Sequence, residues 1–270
     1  MGFFDFLFKR KKKQPKLKLG LALGSGGAKG FAELGALRAF EENGIEFDVV
    51  AGTSIGSIIG AFYADGYSST DIFELIRRID ASEIKSTFMI NMDTFGLFGV
   101  IDRTIGSKTI EELKKPFRAV ATDVETGEGF TFTEGSVAKA LCASSSYPPF
   151  FKPVVIGDKR YIDGAFVNSV PADEVKNMGA NFIVGIDLSD HAVKPAGLLA
   201  RIFPTYQSKV KEPWKIGYDQ SDVMIHPDLT GYKAISFGAM HEMYDIGYNA
   251  AMLKVPEILK RIEELKKTKK

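Results

Sequence analysis

Short, largely apolar runs alternate with helix-like segments along the first half of the chain. Residues 17–23 and 47–51 are runs of the kind that form strands buried inside a sheet. Between them, residues 28–43 carry apolar side chains at helical spacing, and Gly44 follows where a helix end favours glycine. The order strand, helix, strand predicts a largely parallel sheet with helices packed against it.

The same two patterns continue through the rest of the chain. The predicted helices cover residues 56–61, 69–79, 136–145, 171–178, 196–212 and 237–267. The predicted strands cover residues 117–124, 129–133, 153–156, 160–162, 181–188 and 223–226, and the first four of these form two hairpins. Together they predict an α/β fold in a single domain over residues 17–270, with a largely parallel central sheet flanked by helices on both faces.

Composition and charge limit the possible partners. Hydrophobic residues make up 45% of the chain and the formal net charge is +1, so nothing attracts the protein as a whole to nucleic acid. Cys142 is the single cysteine, which excludes an intramolecular disulfide and fits a reducing, cytoplasmic location. No apolar run reaches the about 18 residues that a transmembrane helix needs.

Residues 1–16 differ in composition from the rest. Mostly aromatic positions 3–8 precede a basic run at positions 9–13, the reverse of the order in a secretory signal. In one interpretation, residues 3–13 attach the protein to the anionic surface on the inner face of the membrane. In the other, the segment is a solvated tail or folds back on the domain.

The stretch Gly52-Thr53-Ser54-Ile55-Gly56 lies between a predicted strand and a predicted helix. It fits the pattern G-x-S-x-G, which in this context forms a sharp turn that exposes the central serine as a nucleophile. Gly52 and Gly56 would provide room for the close approach of the backbone. The alternative is an ordinary strand–helix turn made of small residues.

A glycine-rich loop, Gly24-Ser25-Gly26-Gly27-Ala28-Lys29-Gly30, follows the first predicted strand. As a dinucleotide loop its last glycine comes one position late, and as a phosphate loop it lacks the required Gly-Lys-Ser/Thr order. A third interpretation is an oxyanion hole, in which the N–H groups of Gly26 and Gly27 point at an acyl oxygen. The nearby serine turn favours this third interpretation.

Asp163 follows the second predicted hairpin, in the sequence Asp163-Gly164-Ala165. A carboxylate at this strand end could accept a proton, but its reference pKa of about 3.9 would have to be raised by burial. The alternative is that Asp163 only closes the strand with an Asx-turn.

These motifs together resemble the patatin-like phospholipases. Residues 24–30 resemble the glycine-rich oxyanion loop of the family, residues 52–56 its serine motif and residues 163–165 its aspartate motif. Residues 143–148 resemble its small-residue segment ending in proline. The similarity spans about residues 17–190 and has two departures: Ser25 replaces a glycine, and Lys29 stands where arginine is commoner.

The resemblance implies a patatin-like α/β fold and a serine acyl hydrolase that works without histidine. Ser54 would be the nucleophile and Asp163 the base, while Gly26 and Gly27 would donate to the oxyanion. Phospholipids or other lipid esters are the implied substrates, and neither a metal nor an organic cofactor is implied. Residues 80–108, which are rich in large apolar side chains, would be either a mobile cover over an acyl-chain pocket or ordinary irregular structure.

Two other classes of function stay open at this point. One is a nucleotide-binding α/β protein that uses residues 24–30, and the other is an inactive, membrane-associated binding protein of the same fold. A Ser-His-Asp triad is a further possibility within the hydrolases, because His191, His226 and His241 all follow Asp163 in the chain. The context of the three histidines favours the dyad, so each is expected to be dispensable for proton transfer.

Overall fold

A computed structural model describes residues 16–78, 95–191 and 210–267 of the chain. The N-terminal segment up to residue 15 lies outside these ranges, so its membrane attachment stays a prediction. Most of the irregular segment 80–108 and most of the helix predicted at 196–212 also lie outside the described residues.

In the described ranges, eight strands form one sheet with the order β5-β6-β3-β2-β1-β7-β8, and β4 pairs with β3. The strands are β1 Leu19–Leu23, β2 Val49–Thr53, β3 Phe117–Asp123, β4 Gly129–Phe132, β5 Val154–Ile156, β6 Lys159–Asp163, β7 Phe182–Ile186 and β8 Val223–Ile225. All eight correspond to predicted strands, and both predicted hairpins are confirmed. The first two strands begin two residues later than predicted.

The centre of the sheet is parallel, as predicted. β1 pairs in parallel with β2 and β7, β2 with β3, and β7 with β8, whereas the pairings of β4, β5 and β6 are antiparallel. Leu23 lies opposite both Gly52 and Ile186, and Ile186 also lies opposite Ile225. Because these four strands are parallel, the residues that follow β1, β2, β7 and β8 gather at the carboxyl-terminal end of the sheet.

The α-helices are α1 Phe31–Glu42, α2 Ile55–Ala64, α3 Ser69–Arg78, α4 Phe95–Ile105, α5 Val137–Ser144, α6 Ala172–Asn177, α7 Lys215–Gln220 and α8 Met240–Lys267. The prediction of no regular structure around α4 was wrong, because Ile101 and Ile105 are buried at helical spacing. α7 was not predicted either. None of the helices in the described ranges has a stretch long and apolar enough to cross a membrane.

Helices cover both faces of the sheet. Along β1, Leu21 and Leu23 belong to a core cluster that also contains side chains of α1, α2 and α8, whereas Ala22 belongs to a second cluster with side chains of α6. Successive side chains of a strand point to opposite faces. The two clusters are therefore the two sides of one sheet, and the predicted fold class is confirmed.

Candidate active site

Ser54 and Asp163 meet because two strands share one edge of β3. Val120 and Ala121 both pair with β4, which occupies the other edge. On the shared edge, Val120 pairs with Thr53 of β2 and Ala121 pairs with Asp163 of β6. Since β2 runs parallel to β3 and β6 runs antiparallel to it, the two strands meet end to end. Ser54, which follows Thr53, is thereby brought beside Asp163.

Ser54 lies in a sharp turn between β2 and α2, as the sequence predicts. Its φ of 56° and ψ of −126° place a non-glycine residue at positive φ, and only 8% of the residue is exposed. A Cβ on Gly52 would lie 2.2 Å from the carbonyl oxygen of Gly56, and one on Gly56 would lie 2.5 Å from that of Leu23. The two glycines are thus required by close approaches of the backbone.

Hydrogen bonds hold the backbone of Ser54 in this conformation. Its N–H donates to Oγ of Ser144 over 2.9 Å, and that hydroxyl donates to the carbonyl of Val120 over 2.6 Å. Its carbonyl accepts from the N–H and the Oγ of Ser57, over 2.9 Å and 2.6 Å. Both backbone groups of Ser54 are therefore engaged, and its hydroxyl remains for chemistry. The part played by Ser144 was not predicted, although it lies in the small-residue segment.

The Asp163 carboxyl is fully buried and uses its two oxygens differently. Oδ1 accepts the N–H of Ala165 over 2.8 Å, so the Asx-turn considered from the sequence is present. Oδ2 has no well-formed hydrogen bond to any residue in the described ranges, but the Ser54 hydroxyl is close enough to interact with the carboxyl. The turn and an interaction with Ser54 are therefore compatible.

Burial raises the pKa of Asp163 to about 7, even though the Ser54 hydroxyl and the Ala165 N–H act in the opposite direction. An uncompensated buried carboxylate is destabilised relative to its protonated form, which explains the direction. The carboxyl can therefore both accept and release a proton near neutral pH. Burial raises the pKa of the Tyr147 phenol to about 12, and the charge of the nearby Asp163 contributes to this shift as the smaller cause.

The glycine-rich loop leaves two of its amides without a partner among the described residues. On one side of these two amides, the N–H of Gly24 donates to Oε1 of Glu33 over 2.6 Å. The N–H of Ser25 donates to the carbonyl of Ser169 over 2.9 Å. On the other side, the N–H of Ala28 donates to the carbonyl of Ala234 over 2.8 Å. Between them, the N–H groups of Gly26 and Gly27 make no hydrogen bond within the described ranges. Ser25 is not among the residues at positive φ, so its replacement of a glycine causes no strain.

Comparison with known proteins matches residues 21–176 to the family model described as Patatin-like phospholipase. The matched range is more than half of the chain and includes residues 24–30, Ser54 and Asp163. The chain belongs to the patatin-like phospholipase family. The resemblance seen in the three sequence motifs is thereby confirmed.

The similar proteins include two that are much longer than this chain. "Patatin-like phospholipase domain-containing protein 6" of Mus musculus is 29% identical, and "Neuropathy target esterase sws" of Drosophila melanogaster is 28% identical, each over 85% of this chain. This patatin-like chain spans about a fifth of the length of those relatives, 20% of the first and 19% of the second. The crystal structure of VipD from Legionella pneumophila shares the fold, with a TM-score of 0.57 over 90% of this chain and 67% of VipD at 16% identity.

Glu33 is a residue of this patatin-like protein that sequence reasoning missed. It is fully buried on α1, and its Oε1 accepts the Gly24 N–H at the start of the glycine loop. Burial raises the pKa of its carboxyl well above the usual value, while the Gly24 hydrogen bond acts in the opposite direction. In the sequence it looks like a solvent-facing helix residue. Nothing local indicates that it holds the loop that precedes its own helix.

The histidines of this patatin-like protein contact groups other than Ser54 and Asp163. Nε2 of His191 is 2.6 Å from Oδ2 of Asp187, and Nδ1 of His226 is 3.5 Å from the same oxygen. His241 lies in α8 and packs its ring against Phe73, with the ring centroids 5.2 Å apart. None of the three forms a hydrogen bond with Ser54 or Asp163 in the described part of the chain.

Asp187 was also missed, because it reads as the polar end of an apolar strand. It is fully buried directly after β7. Burial acts to raise the pKa of this carboxyl, but interactions with His226, Ser189 and His191 outweigh it and lower the pKa. Asp187 is therefore a charged group, in contrast to the more easily protonated Asp163.

Proposed function

We propose that the protein is a serine acyl hydrolase that cleaves carboxylic esters of lipids through Ser54 and Asp163. The observation that carries the proposal is the Ser54 hydroxyl, held in a strained turn beside a buried carboxyl whose pKa is about 7. A residue with a pKa near the working pH is the most effective general base. The names of the relatives, which include phospholipase and esterase, support the substrate class.

In the first step, Oγ of Ser54 attacks the carbonyl carbon of the ester while its proton passes to Oδ2 of Asp163. The tetrahedral intermediate then expels the alcohol part of the lipid, which takes the proton back from Asp163. The acyl group remains on Ser54 as an ester. The proton transfer is direct, since no described histidine contacts either residue.

In the second step, water replaces the alcohol. Asp163 accepts a proton from the water as it attacks the acyl carbon, and a second tetrahedral intermediate forms. This intermediate expels Oγ of Ser54, which recovers its proton from Asp163, and the free fatty acid leaves. One carboxyl thus alternates between base and acid, as a pKa near 7 allows.

The N–H groups of Gly26 and Gly27 are the proposed donors to the negative oxygen of both intermediates. They are the two loop amides without a described acceptor, whereas their neighbours are engaged. Backbone donors that need no reorganisation stabilise developing negative charge effectively. A nucleotide-binding loop would have no use for Ser54 in a strained turn, so the hydrolase is favoured over that alternative.

Replacing either loop glycine is expected to slow turnover by about 100-fold, the usual effect of losing one oxyanion donor. In Gly27→Ala, the new Cβ would lie 2.5 Å from the carbonyl oxygen of Ala234, so the loop must move. Turnover of a soluble ester by Gly26→Ala and Gly27→Ala measures the effect. The matched control is Gly157→Ala, a glycine at φ +65° with open space around it and outside the site. Unchanged turnover in both loop variants would exclude the assignment.

Activity is expected to rise with pH around a midpoint near 7. Asp163 must be ionised to accept the Ser54 proton, and burial raises its pKa to about 7. The measurement is kcat/KM for a soluble ester that does not titrate, from about pH 5 to pH 9. A midpoint near 4, the reference value of an exposed aspartate, would mean that the carboxyl is not buried during catalysis. A flat profile would exclude Asp163 as the base.

The substrate class is tested with a panel of p-nitrophenyl esters, lysophospholipids and phospholipids. The proposal predicts hydrolysis of at least one lipid ester by the wild-type protein and none by Ser54→Ala. Binding to lipid vesicles with no hydrolysis of any member would favour the inactive binding protein. Protection from unfolding by a dinucleotide, again without hydrolysis, would favour the nucleotide-binding protein.

A further inference from the structure

Asp187, His191 and His226 form a second cluster of ionisable side chains. The cluster lies at the carboxyl-terminal end of the sheet, where the glycine loop also lies. Asp187 follows β7 and His226 follows β8, two strands that pair in register at Ile186 and Ile225. The proposed ester hydrolysis uses none of the three. The cluster therefore needs an explanation of its own.

The donor atoms of the cluster are close enough to share one metal ion. One atom from each residue, a carboxylate oxygen or an imidazole nitrogen, lies within 4.8 Å of both others. Ligands about 2.0–2.2 Å from a tetrahedral zinc ion are about 3.4 Å apart. The 3.5 Å between Nδ1 of His226 and Oδ2 of Asp187 matches this spacing, while the 2.6 Å from Nε2 of His191 has to lengthen.

Neighbouring groups already orient the carboxylate and one imidazole. Oδ1 of Asp187 accepts both the N–H and the hydroxyl of Ser189, over 2.9 Å and 2.7 Å, which leaves Oδ2 facing the histidines. The His191 ring stacks on Trp214, with a centroid distance of 4.3 Å and an interplanar angle of 12°. Outer partners of this kind are what fixes ligand geometry in metal sites.

We propose that Asp187, His191 and His226 bind one divalent transition-metal ion, with Zn²⁺ the best fit. Two imidazole nitrogens and one carboxylate oxygen are ligands that suit Zn²⁺, whereas Mg²⁺ prefers oxygen ligands alone. The histidine side chains are 32% and 44% exposed, so a water molecule can complete the coordination. The ion would join the ends of β7 and β8 beside the glycine loop.

Nε2 of His191 and Nδ1 of His226, the two nitrogens that would bind the ion, both face Oδ2, and the hydroxyl of Tyr218 lies 3.2 Å from Nδ1 of His226. Each of these nitrogens binds an ion through its lone pair, so the ring proton then lies on the opposite nitrogen. Since both rings are partly exposed, water can accept a hydrogen bond from that N–H.

The test is dialysis of the whole chain against micromolar Zn²⁺, followed by measurement of bound metal per chain. One ion per chain, a higher midpoint of thermal unfolding with Zn²⁺ than with Mg²⁺, and visible absorption from bound Co²⁺ are expected. The variant with both His191→Ala and His226→Ala is expected to bind more than about 100-fold more weakly, and Ser189→Ala about tenfold more weakly. His241→Ala, which removes a histidine outside the cluster, is the matched control.

No ion retained by the wild-type protein would overturn the proposal, and so would equal retention by the double variant. If the double variant does not fold, Ser189→Ala and the Co²⁺ spectrum decide, because a purely structural hydrogen-bond network would give no such absorption. The proposal stands apart from the ester hydrolysis. A protein inactive on every ester could still bind Zn²⁺, and an active one could fail to.

Discussion

Ser54→Ala is expected to lower the rate of ester hydrolysis by at least about 10⁴-fold, the scale of effect seen when the nucleophile of a serine hydrolase is removed. The hydroxyl is the attacking group, and alanine has nothing to put in its place. The fold should be retained, because serine and alanine both carry a Cβ and the φ of 56° strains them alike. The measurement is kcat/KM for a soluble ester, with circular dichroism as the check on folding.

Ser107→Ala is the matched control for this variant. Ser107 is the other non-glycine residue at positive φ in the described part of the chain, with φ 55°, and its hydroxyl donates to Asp102 away from the site. It should retain wild-type activity within about twofold, since a surface substitution rarely changes more than local stability. Near wild-type activity in Ser54→Ala would show that another residue attacks the ester.

Asp163→Asn is expected to lower the activity as far as Ser54→Ala does. An asparagine can orient the Ser54 hydroxyl, but it cannot accept the proton. The variant should not be destabilised at pH 8, because the folded-state pKa of about 7 lies above the unfolded value of about 3.9. Folding therefore favours the protonated carboxyl, and the free energy of unfolding falls as the pH rises between these two values. An asparagine has no charge to bury, so the variant does not lose this stability as the pH rises.

Asp173→Asn is the matched control, because burial also raises the pKa of this carboxyl and it accepts a hydrogen bond from Asn168. It lies in α6 and should keep its activity within about tenfold, below the contribution of a general base. Two results would contradict the dyad. One is substantial activity in Asp163→Asn, and the other is a folded His226→Ala variant as inactive as Ser54→Ala, which would indicate a triad.

The local parts of the site could be predicted from the sequence. The serine turn depends on Gly52 and Gly56, and each is needed for contacts with backbone only a few residues away or on the neighbouring strand. The glycine loop and the hairpin that ends at Asp163 are likewise encoded in short stretches. Patterns of this kind survive in one sequence because their causes are local.

The meeting of Ser54 with Asp163 could not be predicted from the residues alone. It depends on β2 and β6 ending at adjacent positions, Val120 and Ala121, of a third strand. That register is fixed by pairing between segments far apart in the chain, which no local period records. Only the family resemblance linked the two residues before the structure did.

The buried acids Glu33 and Asp187 were missed for a related reason. A glutamate on a helix and an aspartate at a strand end are ordinary surface residues in a sequence pattern. The Gly24 amide lies in the loop before the helix of Glu33, and His226, one of the two histidines at Asp187, follows the neighbouring strand β8. No single periodic pattern contains both members of either pair. α4 was missed because Gly96 and Gly99 lower its helix propensity, so that packing of its apolar side chains decides the structure.

The most direct test of the central claim is covalent labelling of the intact protein with a fluorophosphonate probe. An activated serine nucleophile attacks the phosphorus and keeps the phosphonyl group, so mass spectrometry of the digested protein locates the residue. The Ser54–Asp163 mechanism predicts one adduct, on Ser54, that is absent from Ser54→Ala and strongly slowed in Asp163→Asn. Labelling of another serine, or equal labelling of wild type and Ser54→Ala, would contradict it.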